Sequence, residues 1–234
     1  MLDSNFWRRY LEVYDFLNLI EPYRELLGVI CDELEIRKGE RILEAGCGTG
    51  NLVFKIKEEG ALVVGLDNCR EALEICRRKV PGIETVFADL SEKLPFPDNY
   101  FDKIASNNTL YAIPKEKQID TLKELRRILK PGGKIVLANL RKGWNPLKVY
   151  FEGIRKNYSK EGLWLTFSKI VKASFPSVKI FYYNYLIQKE NKYHFFDLHE
   201  QEELLRQAGF SKISPEKIVY ARQSILNSGY NLLF

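Results

Sequence analysis

Residues 42–52 read ILEAGCGTGNL. Ile42 and Leu43 have the character of a buried strand end, and Gly46, Gly48 and Gly50 make a loop with almost no side-chain bulk. Leu52, Val53 and Ile56 then restart an apolar pattern at helical spacing. A strand that turns through glycines into a helix gathers backbone N–H groups and a helix N-terminus at one point. Glycine accepts positive φ there and lets a ligand lie against the backbone. The stretch therefore predicts a ligand-binding strand–loop–helix turn, although glycines alone also suit a plain structural turn.

The chain on either side decides between these. Residues 40–45 form the strand, and a helix runs to about Glu59 with Gly60 as its C-terminal cap. ALVVGLD, 61–67, is a continuous apolar run ending in an acid, as suits a strand covered on both faces. Residues 68–79 place Ala72, Leu73, Ile75 and Cys76 on one helical face, and Pro81-Gly82 breaks it. IETVFADL, 83–90, alternates like a strand and ends at Asp89. FDKIASNN, 101–108, reads as a fourth strand, 115–130 as an amphipathic helix ended by Pro131-Gly132-Gly133, and KIVLANL, 134–140, as a fifth strand. Strands alternating with helices at this spacing predict a parallel sheet with helices on both faces. Right-handed crossovers put every strand's C-terminal end on one edge, where Gly46, Asp67, Asp89 and Asn107 then gather. Open α/β sheets bind ligands at that edge.

The flanks are of other kinds. Residues 4–20 predict a helix with Phe6, Tyr10, Val13, Leu17 and Ile20 on one stripe and Ser4 as its cap. Pro22 suits the first turn of a second helix. Near the C-terminus, 197–210 predicts a helix capped by Asp197 with Glu200 three residues on. The last residues read as two antiparallel strands joined near Asn227-Ser228-Gly229, a hairpin at one sheet edge.

At 234 residues, 45% hydrophobic and 29% charged, the chain is expected to be one domain. It divides into an N-terminal helical cap (1–35), a ligand-binding core (36–140), an insertion (141–196) and a returning helix and strands (197–234). No apolar run has the length of a membrane span, and the N-terminus MLDSNFWRRY is unlike a secretory signal. The four cysteines form no CxxC pair, and reduced thiols in a cytoplasmic protein are expected. His194 and His199 sit in no metal-binding pattern, so no metal is expected. Net charge is +5, but residues 141–196 hold 11 Lys and Arg against 3 Asp and Glu, with 14 of the 30 aromatic residues.

With LEAGCGTGNL, GLDNC, FADLSEKLPFPDNYFDKI and LRRILKPGGKIVLA in this order and spacing, the chain resembles class I S-adenosylmethionine-dependent methyltransferases, especially those that methylate small molecules and quinones. The resemblance is strong over 36–140 and weaker over 197–234. It implies a Rossmann-like doubly wound α/β sheet, mostly parallel, with helices on both faces and substrate-specific structure inserted after the fifth strand. It implies S-adenosyl-L-methionine as cofactor and S-adenosyl-L-homocysteine as product. Residue by residue, Gly46, Gly48 and Gly50 would let the backbone approach the methionine portion, and Glu44 beneath them would accept from its amino group. Asp67 would accept both ribose hydroxyls, and Asn68 would flank the adenine. Asp89 and the Leu90 N–H would read the adenine edge, and Asn107 would sit beside the transferable methyl. Trp7, Tyr10 and Tyr14 of the first helix would cover the cofactor, or else serve as ordinary core aromatics. Asp67 and Asp89 also suit helix caps, and Asn107 with Asn108 suits a turn.

A nicotinamide dehydrogenase also pairs a glycine loop with an acid at the second strand. Here the loop is GxGxG rather than GxGxxG, and Asp89 and the Pro-Gly-Gly signature are extra. Methyl transfer from a sulfonium is an in-line displacement that mainly requires alignment. A general base helps only for a hydroxyl acceptor. No residue identifies itself as that base; Tyr10, Tyr14, Tyr111 and His194 are candidates, each better suited to a wall or core. The expected partner is a small-molecule acceptor. Segment 141–196 suits a lid over it, a peripheral membrane surface reaching a lipid or quinone, an RNA-binding face, or a solvated basic surface. Within it VYFEGIRKNY and GLWLTFSKIVKASF predict amphipathic helices, and KIFYYNYLIQ suits helix or strand. A non-catalytic cofactor-binding relative is the alternative to an enzyme.

Overall fold

The structure, a computed structural model, describes residues 4–190 and 193–232. Its centre is a seven-stranded sheet. β1 (Arg41–Ala45), β2 (Leu62–Asp67), β3 (Glu84–Phe87), β4 (Phe101–Asn107) and β5 (Leu129–Leu140) run parallel. β7 (Ser224–Tyr230) pairs antiparallel with β5, and β6 (Lys217–Val219) pairs antiparallel with β7. The order β3-β2-β1-β4-β5-β7-β6 reverses between β1 and β4 and opens a crevice beyond their C-terminal ends.

The helices are α1 (Ser4–Tyr14), α2 (Glu21–Leu34), α3 (Asn51–Glu58), α4 (Arg70–Lys79), α5 (Lys115–Ile128), α6 (Pro146–Lys189) and α7 (Glu200–Gln207). α2 packs on β4 and β5, α3 and α4 on β2, α4 also on β3, and α5 with α7 on β5 and β7. Ile42, Leu43, Ile104, Ala105, Ile135 and Val136 are wholly buried, as apolar runs covered on both faces require. The expected doubly wound, mostly parallel sheet with a C-terminal hairpin is what forms.

Several local expectations differ. The first helix ends at Tyr14 and tightens into a 3-10 turn over Asp15–Leu19, rather than running to residue 20; the Ser4 cap falls on a side chain outside the described residues. β3 stops at Phe87, so Asp89 lies in a turn beyond the strand. β5 begins at Leu129, and Pro131-Gly132-Gly133 lies inside it at a register shift against β4. There Gly132 has φ 79 and its N–H reaches the Asn231 carbonyl at 2.7 Å. α7 begins at Glu200 rather than Asp197, although the Glu200 carboxylate does accept the Asp197 N–H at 3.0 Å.

Asn227-Ser228-Gly229 is not a turn but the middle of β7. Asn227 accepts from Gln201 of α7 at 3.0 Å, Ser228 donates to Glu33 at 2.7 Å, and Gly229 packs against Phe210. These small polar residues let a helix and a loop approach the strand. The turn falls at Tyr220-Ala221-Arg222, all three in the left-handed region.

α6 is two helical arms broken at Gly162, which takes φ 80 and ψ 179. KIFYYNYLIQ lies in the second arm and is helical. The arms run antiparallel, since the Tyr150 ring meets Phe181 at 5.8 Å and Gln188 donates to the Trp144 carbonyl at 3.3 Å. They lie on α1 and α2. Asn157 accepts the Glu21 N–H and donates to the Leu19 carbonyl, and Gly153 gives Ile20 room that a Cβ would fill. Glu21 pairs with Arg24 and Lys160, and Glu25 with Lys156. Among the described residues no helix is long and apolar enough to cross a membrane.

Candidate active site

A cavity of about 510 Å³ opens over the crevice between β1 and β4, a volume in the range of small-molecule sites. Glu44, Gly46, Gly48, Asp67, Asn68, Asp89, Leu90 and Asn107 all line it, as do Trp7, Tyr10, Tyr14 and Tyr111. Gly50 and His194 do not line it.

The glycine loop works differently from a nest of free donors. The Gly46 and Cys47 N–H groups bond the Leu66 carbonyl at 2.8 and 2.9 Å, and the Gly50 N–H bonds the Cys47 carbonyl at 2.9 Å. The Gly48 N–H donates to Asp67 Oδ2 at 2.8 Å. What the loop offers a ligand is close backbone approach. Gly46 has φ 81, and a Cβ there would lie 2.2 Å from the Thr109 hydroxyl oxygen. Gly50, at φ 82, would put a Cβ 2.5 Å from Cys76 Sγ, so its role is to let α4 pack beside the loop.

Asp67 ends β2 and also accepts the Cys69 N–H on Oδ1 at 2.9 Å. Burial pushes its carboxyl up, and the N–H donors of Gly48 and Cys69 partly offset this. Each oxygen keeps a further lone pair. Asp89 is exposed and accepts the Ser91 N–H at 2.8 Å, capping its own turn at the cavity. Glu44 is buried at the cavity floor, and burial holds its carboxyl well above the usual carboxylate range. Its Oε2 has no hydrogen-bond partner, and the same holds for Asn107 Oδ1 and Asn108 Oδ1, both also lining the cavity. Three unpaired buried oxygens around one cavity are costly unless a ligand supplies donors.

The opposite wall is aromatic. Trp7, Tyr10 and Tyr14 come from α1, Tyr23 from α2, Tyr111 from the turn after β4, and Trp144, Tyr193 and Tyr220 from later segments. Their rings form a chain, Trp7 to Tyr10 at 5.6 Å, Tyr10 to Tyr14 at 5.4 Å, Trp7 to Tyr193 at 6.1 Å and Tyr111 to Tyr193 at 6.2 Å. Tyr10 donates to Asn184 of α6 at 3.3 Å, tying α1 to the roof. Burial raises the Tyr14 phenol to about 12 and pushes Tyr10 and Tyr111 up too, so these are neutral phenols. His194 stands away from this wall. Its Nε2 lies 2.6 Å from Glu200, its backbone N–H bonds the Tyr111 carbonyl, and its ring packs on Phe196.

One group escaped sequence reasoning. Lys79 of α4 reaches Asp15 and Asn51, each at 2.7 Å, and Thr49 donates to Asp15 at 2.6 Å. Asn18 donates to Asn51 at 2.9 Å. The cluster ties the turn after α1 to the glycine loop. Asp15 and Lys79 are 64 positions apart, and no spacing rule links them. Among the described residues no group of three or more His, Cys, Asp or Glu is placed to hold a metal ion.

Residues 42–133 match a family described as Methyltransferase domain. A demethylmenaquinone methyltransferase of Staphylococcus saprophyticus is 30% identical over 209 residues, 86% of this chain and 84% of that protein. One from Symbiobacterium thermophilum is 33% identical over 190 residues, 76% of this chain and 71% of that protein. Among solved structures, an S-adenosylmethionine-dependent methyltransferase from Aquifex aeolicus superposes with a TM-score of 0.62, covering 99% of this chain and 100% of its own at 16% identity, a likeness of fold.

Proposed function

We propose that this chain, which belongs to the class I S-adenosylmethionine-dependent methyltransferases, transfers the methyl to a planar, largely apolar acceptor of the reduced-quinone kind. The observation that carries the reading is the division of one cavity into a floor of unpaired oxygens and a wall of aromatic rings. The floor fits the cofactor. Glu44, Asn107 and Asn108 offer unpaired acceptors suited to its ammonium, and Asp67 keeps lone pairs for the ribose diol. Gly46 and Gly48 would let its methionine portion lie on the backbone, and Asn68, Asp89 and the Leu90 N–H would frame the adenine.

When bound, the cofactor supplies a methyl already activated by its sulfonium charge. The chain's part is then alignment and exclusion of water. Trp7, Tyr10 and Tyr14 would cover the sulfonium, whose charge favours ring faces. A flat acceptor would lie against the cavity faces of Tyr111, Trp144 and Tyr193. Tyr14 and Tyr111, held as neutral phenols, would orient an acceptor oxygen through hydrogen bonds rather than remove its proton. His194 keeps its ring on Glu200 and would support the Tyr111 backbone. Segment 141–196 would close the acceptor end, with a peripheral membrane contact where a lipid-soluble acceptor arrives. Cys31, Cys47, Cys69 and Cys76, free and buried, suit a reducing cytoplasm.

The test is S-adenosylhomocysteine release with a reduced, short-tailed demethylmenaquinone analogue. Turnover that falls at least tenfold when Tyr111→Ala removes a stacking wall supports the reading. Turnover of polar amines or acids but of no naphthoquinol overturns it.

A further inference from the structure

The second arm of α6 turns most of its aromatic rings outward. The residues it buries are Thr166, Ala173, Ser177 and Asn184, which are small or polar, together with Ile180 and Ile187. Among the large apolar residues it exposes, Trp164, Phe167, Val171, Phe175, Val178, Tyr182 and Tyr185 are spaced by threes and fours along one stripe, with Ser168, Lys172, Ser174 and Lys179 exposed beside them. Trp164, beside the Gly162 break, is 82% exposed, and Phe175 is 68% exposed. From 164 to 185 the stripe runs ~30 Å. A helix in water shows a polar face outward; this arm shows a stripe of large apolar side chains there instead, a face suited to an apolar medium.

Charge selects among the apolar media. The second arm, residues 163–189, carries four lysines and no acidic residue. Lys169 pairs with Glu161, while Lys179 lies over the Phe175 ring at 4.8 Å rather than on a carboxylate. Lys172 and Lys179 each follow a stripe residue, Val171 and Val178. A second copy docked about a two-fold axis would bring two lysine-bearing faces together with no acid on the arm to answer them. Nucleic acid would answer the lysines and stack on rings, but gain nothing from Val171 or Val178 in the middle of the stripe. An anionic bilayer surface answers both, taking aromatic and aliphatic side chains at the acyl boundary and lysines among the headgroups.

We infer that the outer face of the second arm of α6 docks on an anionic lipid surface. The inner face of the same arm gives Ile180 and Asn184 to the active-site cavity. One helix thickness, ~10 Å, therefore separates the docked membrane from the site. An acceptor partitioned in lipid is delivered at that site without crossing bulk water. Docking rests on the α6 surface alone, and only delivery rests on the quinone reading.

The test sediments the full chain with vesicles of phosphatidylcholine alone and of about equal phosphatidylglycerol and phosphatidylcholine. The chain is expected to pellet with the anionic vesicles and to be released as salt rises. W164E/F175E is expected to lose binding altogether, and K172E/K179E to weaken it roughly tenfold or more. All variants are expected to bind S-adenosylhomocysteine as the parent does, which shows them folded. Docking is overturned by parent protein that stays in the supernatant, or by W164E/F175E that still pellets. It is also overturned by a dimer that W164E/F175E dissociates, or by salt-sensitive RNA retention in place of vesicle binding. Turnover of a soluble acceptor with vesicle binding lost overturns docking alone. Vesicle binding without turnover of any naphthoquinol overturns the acceptor reading alone.

Discussion

The cavity floor and its roof are made by opposite rules. The floor sits on the ends of β1, β2 and β4, strands buried on both faces, and its polar groups face inward to a ligand. The roof arm of α6 turns mainly small and polar residues inward, with Ile180 and Ile187, and most of its aromatic residues outward. The floor is shaped by what it must hold, and the roof by two surroundings at once. In the floor, hydrophobic pattern and position in the fold agree. In α6 the helical stripe forms as expected, and its large aromatic side chains lie outward.

The largest expected effect tests whether the floor is self-contained. Asp67 anchors the Gly48 and Cys69 N–H groups and would also accept from the cofactor. Asp67→Ala is expected to weaken S-adenosylhomocysteine binding about 100-fold, ~2.7 kcal/mol, with the fold kept. Titration calorimetry measures this, with circular dichroism as the fold check. If Asp67→Ala binds normally while W164E/F175E does not, donor binding belongs to the roof and the contrast is wrong.

A second effect is read through pH. Burial raises the Glu44 carboxyl in the ligand-free protein, and an ammonium placed beside it would lower it again. Between those two positions, binding releases a proton, so affinity should rise with pH, at most about tenfold per unit, and level off above the ligand-free value. Without ligand the sign reverses. A folded-state pKa above the unfolded one stabilises below the unfolded value, and that contribution is lost as pH rises through the folded one. Glu44→Gln is therefore expected to bind the cofactor more weakly, to lose the pH dependence, and to melt higher than the parent at neutral pH without ligand. Calorimetry in buffers of different ionisation enthalpy counts the proton. An unchanged pH slope in Glu44→Gln would remove Glu44 from the ammonium site.

The legibility of the two regions follows from range. ILEAGCGTGNL, Asp67 and Asn107 could be placed on one sheet edge because each lies at a strand end and crossover handedness is fixed. Asn227-Ser228-Gly229 misled because turn residues in a strand also make room for a neighbour, here Gln201 and Phe210. The Pro131-Gly132-Gly133 break misled similarly, since a bulge uses the same residues as a stop. Tyr193 and Tyr220 reach the aromatic wall only through the tertiary fold. The outward side of the α6 stripe was hidden for another reason, since periodicity names a stripe without saying what lies against it.

The smallest expected effect falls where the two regions meet. Lys79 joins Asp15 of the N-terminal cap to Asn51 of the loop helix, and Thr49 closes the cluster. Lys79 and Asp15 are partly exposed, so their charge pairing contributes little. The hydrogen bonds still hold the turn after α1 over the loop. Lys79→Met keeps most of the side chain's length and removes its donors. It is expected to cost ~1 kcal/mol of stability and to weaken cofactor binding by no more than ~5-fold. Faster amide exchange is expected in 10–20 with no change in the core strands. Exchange that rises equally in β1 and β4 would mean that Lys79 supports the sheet itself. If exchange rises only in 10–20, the cap over the donor site opens as its own unit, while the floor keeps its shape.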